Sequence, residues 1–515
     1  MPPPPDLLVL AAGAFGAPGC DAVVVRDGRI AAVTTRREAL AARGPRTRVI
    51  DAPRGLLCSG FQDAHAHLVP LARARREIDL HGCGLATIRD AVRAAGARTP
   101  AGRWLVGRGF DPEAFRVAGI APRALLDEAA PGVPVLLRSH DYHSAALNTL
   151  GLMRAGFAPS PPEVEGGRVD RDEHGLPNGM LREMAAILAT SQTEDLGDDE
   201  VAEAVAETLP GLHRAGITCV HDMSGSRAHA PLRILDAGAR LSIDVLATIS
   251  PGDAARPALR ARGSAFEVIG MKAFLDGALG SRTAHLLAPY EGEACHRGVE
   301  VLPLATARGF ALEAAAAGLP SFLHAIGDAA VRAALDALQG VRGPGGGTLP
   351  HRVEHAQMIH DDDLPRFAAL GIAASMQPVH LALDAPIAHR HWGGRTRECF
   401  PVRRLLDSGA LVAFGSDAPI ETFDVLEGIR CAVGRRGRDG TPLAPKEAVT
   451  AAEALTAYTT GAAASAGRTA RLAAGAVANL TLLTHDVVSN PGSLADAAVA
   501  ATVVRGEAVF EGAPK

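Results

Sequence analysis

Hydrophobic positions fall into two textures along the chain. Residues 6–58 hold short apolar or alternating runs, DLLVLAAG, DAVVVRDGRIAAV and RTRVIDAPRGLLCSG, broken by glycine and proline. That pattern predicts short strands and turns, with a hairpin at the DGR step. The far end, ANLTLLTHD and AAVAATVVRGEAVFEG, has the same texture. Two β-rich ends around a long middle predict one small β-sandwich built from both termini, residues 1–58 plus 466–515. The middle, residues 59–465, alternates apolar strand-like runs with amphipathic stretches such as DEVAEAVAETLPGLHRAG, DAAVRAALDALQG and HDDDLPRFAALG. This is the pattern of a parallel sheet with helical crossovers. Strands are predicted at 57–63, 216–222, 241–249, 268–275, 319–325, 352–355, 372–377 and 411–416. Eight of them fit an α/β fold of the (β/α)₈ TIM-barrel type. Residues 75–205 break the spacing and are expected to form an α/β insertion after the first barrel strand, a lobe of its own over the barrel mouth. No fixed-period repeat is present, and PGGG near Pro344 and SPPEVEGG near Pro161 read as loop tips.

Composition narrows the class. At 515 residues the chain exceeds one small core and suits two or three domains. Hydrophobic content of 47% and charged content of 21% are ordinary for a globular protein. A net charge of -5 provides no basic stripe, so nucleic acid is not an expected partner. No apolar run approaches the roughly 20 residues that span a bilayer, so no membrane association is expected. The start, MPPPPDLLVLAAGAFGAPG, lacks a basic n-region, and no signal peptide is expected. The seven cysteines are scattered without a CxxC pair. Reduced thiols in a cytoplasmic protein are therefore expected, rather than a disulfide framework or a cysteine-zinc site. One detail bears on chemistry: of the 52 basic residues only Lys272, Lys446 and Lys515 are lysine. A lysine inside an apolar segment of such a chain invites a chemical reason for being lysine.

The strongest local motif is GFQDAHAHL. His65 and His67 alternate along a strand and share a face. At the C-terminal end of a barrel strand that face opens on the mouth, where two imidazoles can share a metal ion. The other reading is a pair of solvent-facing loop histidines. Lys272 closes VIGMKAFLDG. An ammonium has no acceptor and ligates nothing, but its carbamate, formed with CO₂, is an anionic bidentate group. Arginine cannot take that role because its guanidinium stays protonated. The other reading pairs a buried Lys272 with Asp276. His324 ends SFLHAIGD and His355 ends HRVEHAQ. Each alone suits a hydrogen-bonded core position, but four histidines and a lysine over four strand ends suit a metal. Asp417 ends LVAFGSD, where a carboxylate can ligate metal and accept a proton from water, or cap the following turn. Neutral imidazoles with two anionic oxygen ligands suit zinc, with manganese, iron or nickel as alternatives.

These residues, in this order, resemble the amidohydrolase superfamily, and within it the branch of YtcJ-like and N-substituted formamide deformylase-like proteins (amidohydrolase family 3). Matching pieces run almost end to end, among them GFQDAHAHL, PRALLDEAAPGVPVLLRSHDYHSAALN, GLPNGMLRE, AGITCVHDM, MKAFLDGALGSRTAHLLAPY, HAIGDAAVRAALDA, RVEHAQMI, ASMQPVH, GSDAPIE and EALTAYTTGAA. The resemblance implies a sandwich plus a barrel. It also implies one or two divalent ions held by His65, His67, carboxylated Lys272, His324, His355 and Asp417. By the same resemblance His143 in DYHS lies over the substrate, and Glu183, His221, Arg282 and His380 are further pocket candidates. Three positions depart from the pattern. Tyr142 stands where relatives carry glycine, the insertion has phenylalanines where tryptophans are common, and VANLTLL lacks the usual aspartate. None of these is a metal-ligand position.

The expected activity is hydrolysis of a non-peptide C–N bond, an amide or N-acyl amine, in a small molecule. Metal-activated hydroxide attacks, and Asp417 serves as general base and then acid. The alternatives on the same site are an ester or lactone hydrolase and a ring deaminase. A metal-free scaffold of this architecture normally lacks ligands, and none is missing here. A homodimer is left open by the oligomeric habit of the relatives.

Overall fold

The computed structural model describes residues 3–139, 144–158, 160–164, 167–193 and 196–512. Contacts divide the chain into two compact units, Met1–Leu71 with Val205–Lys515, and Ala72–Ala204.

The first unit contains eight parallel strands: β1 (Phe61–Ala66), β2 (Ile217–Asp222), β3 (Asp244–Ile249), β4 (Phe266–Phe274), β5 (Ser321–Ala325), β6 (Arg352–His355), β7 (Ala373–Met376) and β8 (Val412–Phe414). Each pairs with its neighbour in sequence order, from β1 to β8. The ring is nearly closed where the backbone N–H groups of Ser416 and Asp417 donate to the His65 carbonyl at 3.2 and 2.6 Å. The fold is a TIM barrel with additional sheets. Near-complete burial of the strands explains their near-continuous apolar character.

The first predicted strand, 57–63, is corrected. Leu56–Ser59 belongs to another sheet, and β1 begins at Phe61. Backbone partners change at Gly60, whose N–H meets the Asn479 carbonyl while that of Phe61 meets Gly216. A Cβ at Gly60 would lie 2.2 Å from the Thr218 hydroxyl, so only glycine allows that turn. The apolar run is continuous because both strands are buried, so hydrophobicity alone could not divide it.

Two further sheets lie in this unit. One orders Arg29–Thr34, Ala22–Arg26, Leu7–Leu10 and Arg48–Asp51. The other orders Gly13–Ala14, Leu56–Ser59, Leu480–Leu483, Val499–Val504 and Glu507–Glu511, so it joins both ends of the chain. Leu7, Val9, Val23 and Ile50 of the first pack on Leu57, Leu480, Leu482 and Val503 of the second in one core. The barrel is irregular in one place. Between β3 and β4 stands only a short 3₁₀ turn, Pro257–Arg260, where a barrel helix is expected.

The second unit, Ala72–Ala204, is a six-stranded mixed sheet in the order Gly167–Arg171, Pro177–Glu183, Ser144–Leu147, Val135–Ser139, Leu105–Phe110 and Ile78–Asp79. Helices Leu85–Gly96 and Pro122–Ala129 contribute to one core, with Ile88, Val92, Leu125 and Leu126. Helix Met184–Ser191 contributes to another, with Trp104, Leu136 and Phe157. All seven cysteines are free. Among the described residues no helix is long and apolar enough to cross a membrane.

Candidate metal centre

Alternation along β1 turns Asp63, His65 and His67 to one side. His65 Nδ1 lies 2.7 Å from Glu354 Oε2 on β6. With a carboxylate as partner Nδ1 carries the proton, so Nε2 keeps its lone pair. That Nε2 lies 3.4 Å from Asp417 Oδ1, and His67 Nε2 lies 3.3 Å from the same oxygen. His355 is fixed in the same manner. Its Nδ1 is 2.8 Å from Gln377 Oε1, whose amide nitrogen donates to the Ser375 carbonyl. Among the described residues, His65, His355 and Asp417 each offer one ligand atom within 4.8 Å of the others.

Three more candidates adjoin this group. The His324 ring lies 4.4 Å from that of His355, and its Nε2 is 3.0 Å from the Gly277 carbonyl. His380 Nε2 is 3.6 Å from Asp417 Oδ2, and its Nδ1 is 3.9 Å from Asp384. Lys272 is buried, and among the described residues its Nζ has no hydrogen-bond partner. It lies 5.0 Å from the Phe274 ring centre. The alternative pairing with Asp276 is not formed. That carboxylate accepts instead from the backbone N–H groups of His285, Ile326 and Gly327 at 2.9, 3.0 and 2.8 Å.

Three residues here have a strained backbone. His355, Ala356 and Asp417 have φ of 72°, 45° and 61°, where non-glycine residues are uncommon. On β6, Arg352 and Glu354 occupy the inward positions, so regular alternation would turn His355 outward. The positive φ at His355 and Ala356 breaks that alternation. After β8, a Cβ at Gly415 would stand 2.4 Å from the His65 nitrogen, so the approach of this loop to β1 requires glycine. Asp63 ties the same loop down, accepting from the Ser416 backbone at 2.9 Å and its hydroxyl at 2.5 Å.

Burial and charge oppose each other at the two carboxylates. Burial alone would raise the Asp417 carboxyl, but the imidazoles of His65 and His67 hold it well below the usual range. Glu354 is likewise held low, against its burial, by the Arg352 guanidinium and His65. Burial pushes Lys272 down to about 8 and His324 down to about 3, the latter helped by the nearby ammonium. Burial keeps the His324 and His355 imidazoles neutral, Asp417 is ionised, and burial loosens the proton of Lys272. That donor set, with an unpartnered buried amine beside it, fits a divalent cation.

The remaining candidates divide. His221 lies behind the ring rather than in it. Its Nδ1 accepts from Arg352 at 2.9 Å and its Nε2 meets Gln62 Oε1 at 3.3 Å. Arg282, at φ 57°, directs its guanidinium to Glu293 at 2.9 Å. Glu183 belongs to the other unit, at the junction of strand Pro177–Glu183 and the next helix, with φ 51°. His143 lies outside the described residues. Sequence reading missed Arg352 and Glu354, both fully buried. Arg352 donates to Glu354 at 3.0 Å, to Ser375 at 2.7 Å and to the Ala64 carbonyl at 2.5 Å. Its guanidinium stands 4.5 Å from the Phe322 ring. The available signal was RVEH itself, two opposite charges at alternate positions of a strand with no solvent face.

A parallel eight-stranded barrel with histidines and an aspartate gathered at its strand ends defines the class of barrel hydrolases that work through a divalent metal. The chain belongs to the amidohydrolase family, whose model matches residues 48–510. It is 30% identical to the N-substituted formamide deformylase of Arthrobacter pascens over 516 residues, covering 95% of each chain. It is 29% identical to the YtcJ protein of Bacillus subtilis (strain 168), covering 95% of this chain and 96% of that one. Among solved structures, an uncharacterized metal-dependent hydrolase from Pyrococcus furiosus superposes with a TM-score of 0.78 at 26% identity, over 94% of this chain and 99% of the other. The protein is a metal-dependent hydrolase acting on C–N bonds.

Proposed function

We propose that the chain hydrolyses the C–N bond of a small neutral amide or N-acyl amine, with Asp417 as the group that moves the proton. The observation that carries this reading is the convergence of His65, His355 and Asp417 within 4.8 Å, next to a buried amine without a partner. His65, His67, His324, His355, Asp417 and a carbamate on Lys272 would hold one or two divalent ions, zinc by donor type. When bound, the ion polarises the amide carbonyl and makes water acidic near neutral pH.

The protein's own groups supply the rest. Glu354 and Gln377 hold His65 and His355 with Nε2 unprotonated. Asp417, kept ionised by its imidazole neighbours, accepts a proton from the attacking water and returns it to the departing nitrogen. One water is consumed, and a carboxylate and an amine leave. Lys272 forms a carbamate only as a neutral amine, and burial brings it within reach of that state. His143, Glu183, Arg282 and His380 are proposed to meet the substrate. The sandwich, residues 1–58 with 466–515, is proposed as the barrel's scaffold, and 75–205 as an insertion lobe of its own.

The test is a metal-replete preparation assayed against formamides, N-acyl amines and cyclic amides, with product analysis. Amine release is expected, with kcat lower by about 10²–10⁴ in Asp417→Asn at matched metal content. Ammonia or an alcohol as the leaving group would reassign the chemistry. Turnover of no amide, with Asp417→Asn indistinguishable from the parent, would refute it.

A further inference from the structure

His380 extends the candidate metal centre on one side. It stands in the turn Pro378–His380 after β7, and the next helix, Leu381–Trp392, places Asp384 one turn further on. The imidazole lies between two carboxylates, with Nε2 3.6 Å from Asp417 Oδ2 and Nδ1 3.9 Å from Asp384 Oδ2. Half-buried Glu421 follows Asp417 on the loop after β8. Burial and the charge of Glu421 push the Asp384 carboxyl up to about 7, and burial raises Glu421 as well, with Arg438 offsetting part of that rise. Among the described residues no lysine or arginine forms an ion pair with Asp384, whose one charged partner is His380. Gln357 adds a second feature. It is 2% exposed, and its amide head turns to Asp384, with Nε2 3.3 Å from Oδ2. The Oε1 of that same head has no hydrogen-bond partner among the described residues. A buried acceptor without a donor is costly, so the place lacks a group rich in N–H bonds and positive charge. A metal ion suits it poorly, because among the described residues only His65, His355 and Asp417 gather ligand atoms within 4.8 Å. More widely spread acceptors suit an organic ammonium, whose three N–H bonds diverge. The compartment reaches solvent, with 17% of the Asp384 side chain and 11% of the His380 side chain exposed.

We propose that Asp384, Glu421 and Gln357 form a compartment that receives the departing amine as its ammonium, so that the leaving nitrogen of the substrate faces the β7–β8 side of the site. The proposal rests on the amide-hydrolysis reading of the same site. In that reaction the water oxygen bonds to the acyl carbon, and the C–N bond breaks with its electron pair on nitrogen. Nitrogen takes one proton of the water through Asp417. The second proton stays on the new carboxylic acid, which then gives it to the amine. A neutral amide and water thus become a carboxylate and an ammonium. The positive charge exists only after cleavage, and it arises beside Asp417. Asp384 and Glu421 hold that new charge without requiring one on the substrate. His380, set between Asp417 and Asp384, marks the border the nitrogen crosses as it leaves.

The test uses the metal-replete full chain at pH 8, with isobutylammonium as the probe and isobutanol as its neutral counterpart. Calorimetry should find the ammonium bound about tenfold or more tightly than the alcohol. Asp384→Asn and Glu421→Gln should each remove most of that advantage, by about fivefold or more, while the alcohol binds as before. Metal content and urea midpoints of both variants are measured alongside. Glu421 is half-buried, so Glu421→Gln keeps the test decisive if Asp384→Asn fails to fold. Two substrates then establish where the cation comes from: N-isobutylpropanamide, and its 3-amino analogue, which carries an ammonium on the acyl side. The analogue should gain nothing in kcat/KM. A gain of about tenfold that Asp384→Asn removes would put a substrate ammonium in the compartment and overturn the proposal. Equal affinity of the parent for ammonium and alcohol overturns it too. So does ammonium affinity unchanged in both variants, the result expected if the amine simply ligated the metal. If neither amide is turned over, the hydrolytic reading fails, while ammonium binding that depends on Asp384 still supports the compartment as a site for an organic cation.

Discussion

Replacing Glu354 by glutamine separates two roles that one buried carboxylate combines. Glu354 and Arg352 are both fully buried, with Arg352 Nε 2.8 Å from Oε1 and Nη2 3.0 Å from Oε2. Removing the carboxylate charge leaves a buried guanidinium uncompensated, which costs about 3–5 kcal/mol of stability. The same carboxylate orients His65 at 2.7 Å, and loss of such a partner weakens metal affinity about 10–100-fold. That range is about 1.4–2.7 kcal/mol. Glutamine can still accept from Nδ1, so Glu354→Gln should lie at the lower end and Glu354→Leu at the upper end. The double variant Arg352→Met with Glu354→Gln removes both charges together, so most of the stability should return while metal affinity stays reduced. Urea unfolding of the metal-free proteins measures the first quantity, and calorimetric titration with zinc measures the second. Parental zinc affinity in both single variants would refute the orienting role. Recovery of affinity in step with stability in the double variant would show that only folding was at stake.

Lys272→Arg keeps the positive charge but cannot carry a carbamate. With ¹³C-bicarbonate the parent should show a carbamate carbon resonance that the variant lacks, and the variant should retain less metal after dialysis. An unchanged spectrum would remove the carbamate from the site. His351 accepts from the Ser321 N–H at 3.1 Å, and burial pushes it down to about 4 from 6.5. The unfolded chain then takes up the proton first as pH falls. The stability concerned is complete above pH 6.5 and lost progressively toward pH 4, by roughly 3 kcal/mol in all. His351→Asn keeps an acceptor and should flatten that part of the unfolding curve; an unaltered slope would show that His351 is not its source. In the other unit the buried Asn148 side chain accepts from Val135 and Gly151 at 2.9 and 2.8 Å, and donates to Ala130 and Val133 at 3.2 and 2.8 Å. Asn148→Ala should cost about 3 kcal/mol, combining a lost helix cap with orphaned backbone groups. Hydrogen exchange should speed up first within Ala72–Ala204, and uniform loss of protection over the whole chain would contradict that local origin.

The eight barrel strands were legible because a strand buried on both faces writes itself as a short apolar run between breakers. Lengths were less legible, as the run through Gly60 shows, since hydrophobicity does not report which sheet a buried strand joins. The absent helix after β3 was invisible for a related reason. Alternation of strands and helices is an expectation about the whole barrel, and residues 250–265 carry too few periodic positions to contradict it. In the candidate metal centre, GFQDAHAHL fixed His65 and His67 to one face through the period of the strand alone. The scarcity of lysine singled out Lys272 from composition alone.

Other features exist only once the barrel closes. The turn of His355 toward His65 and His324 depends on a positive φ that no local propensity favours. Glu354 meets His65 across 289 positions of sequence. Asp417 reaches the histidines because its backbone completes the ring against β1. Periodicity and composition are properties of neighbouring residues, so the chain itself determined which side chains carry donors and which face of a strand they share. The distances among those donors, the charge state of each and the acidic compartment beside them were decided by tertiary packing. Each depends on burial and on fields from residues hundreds of positions away.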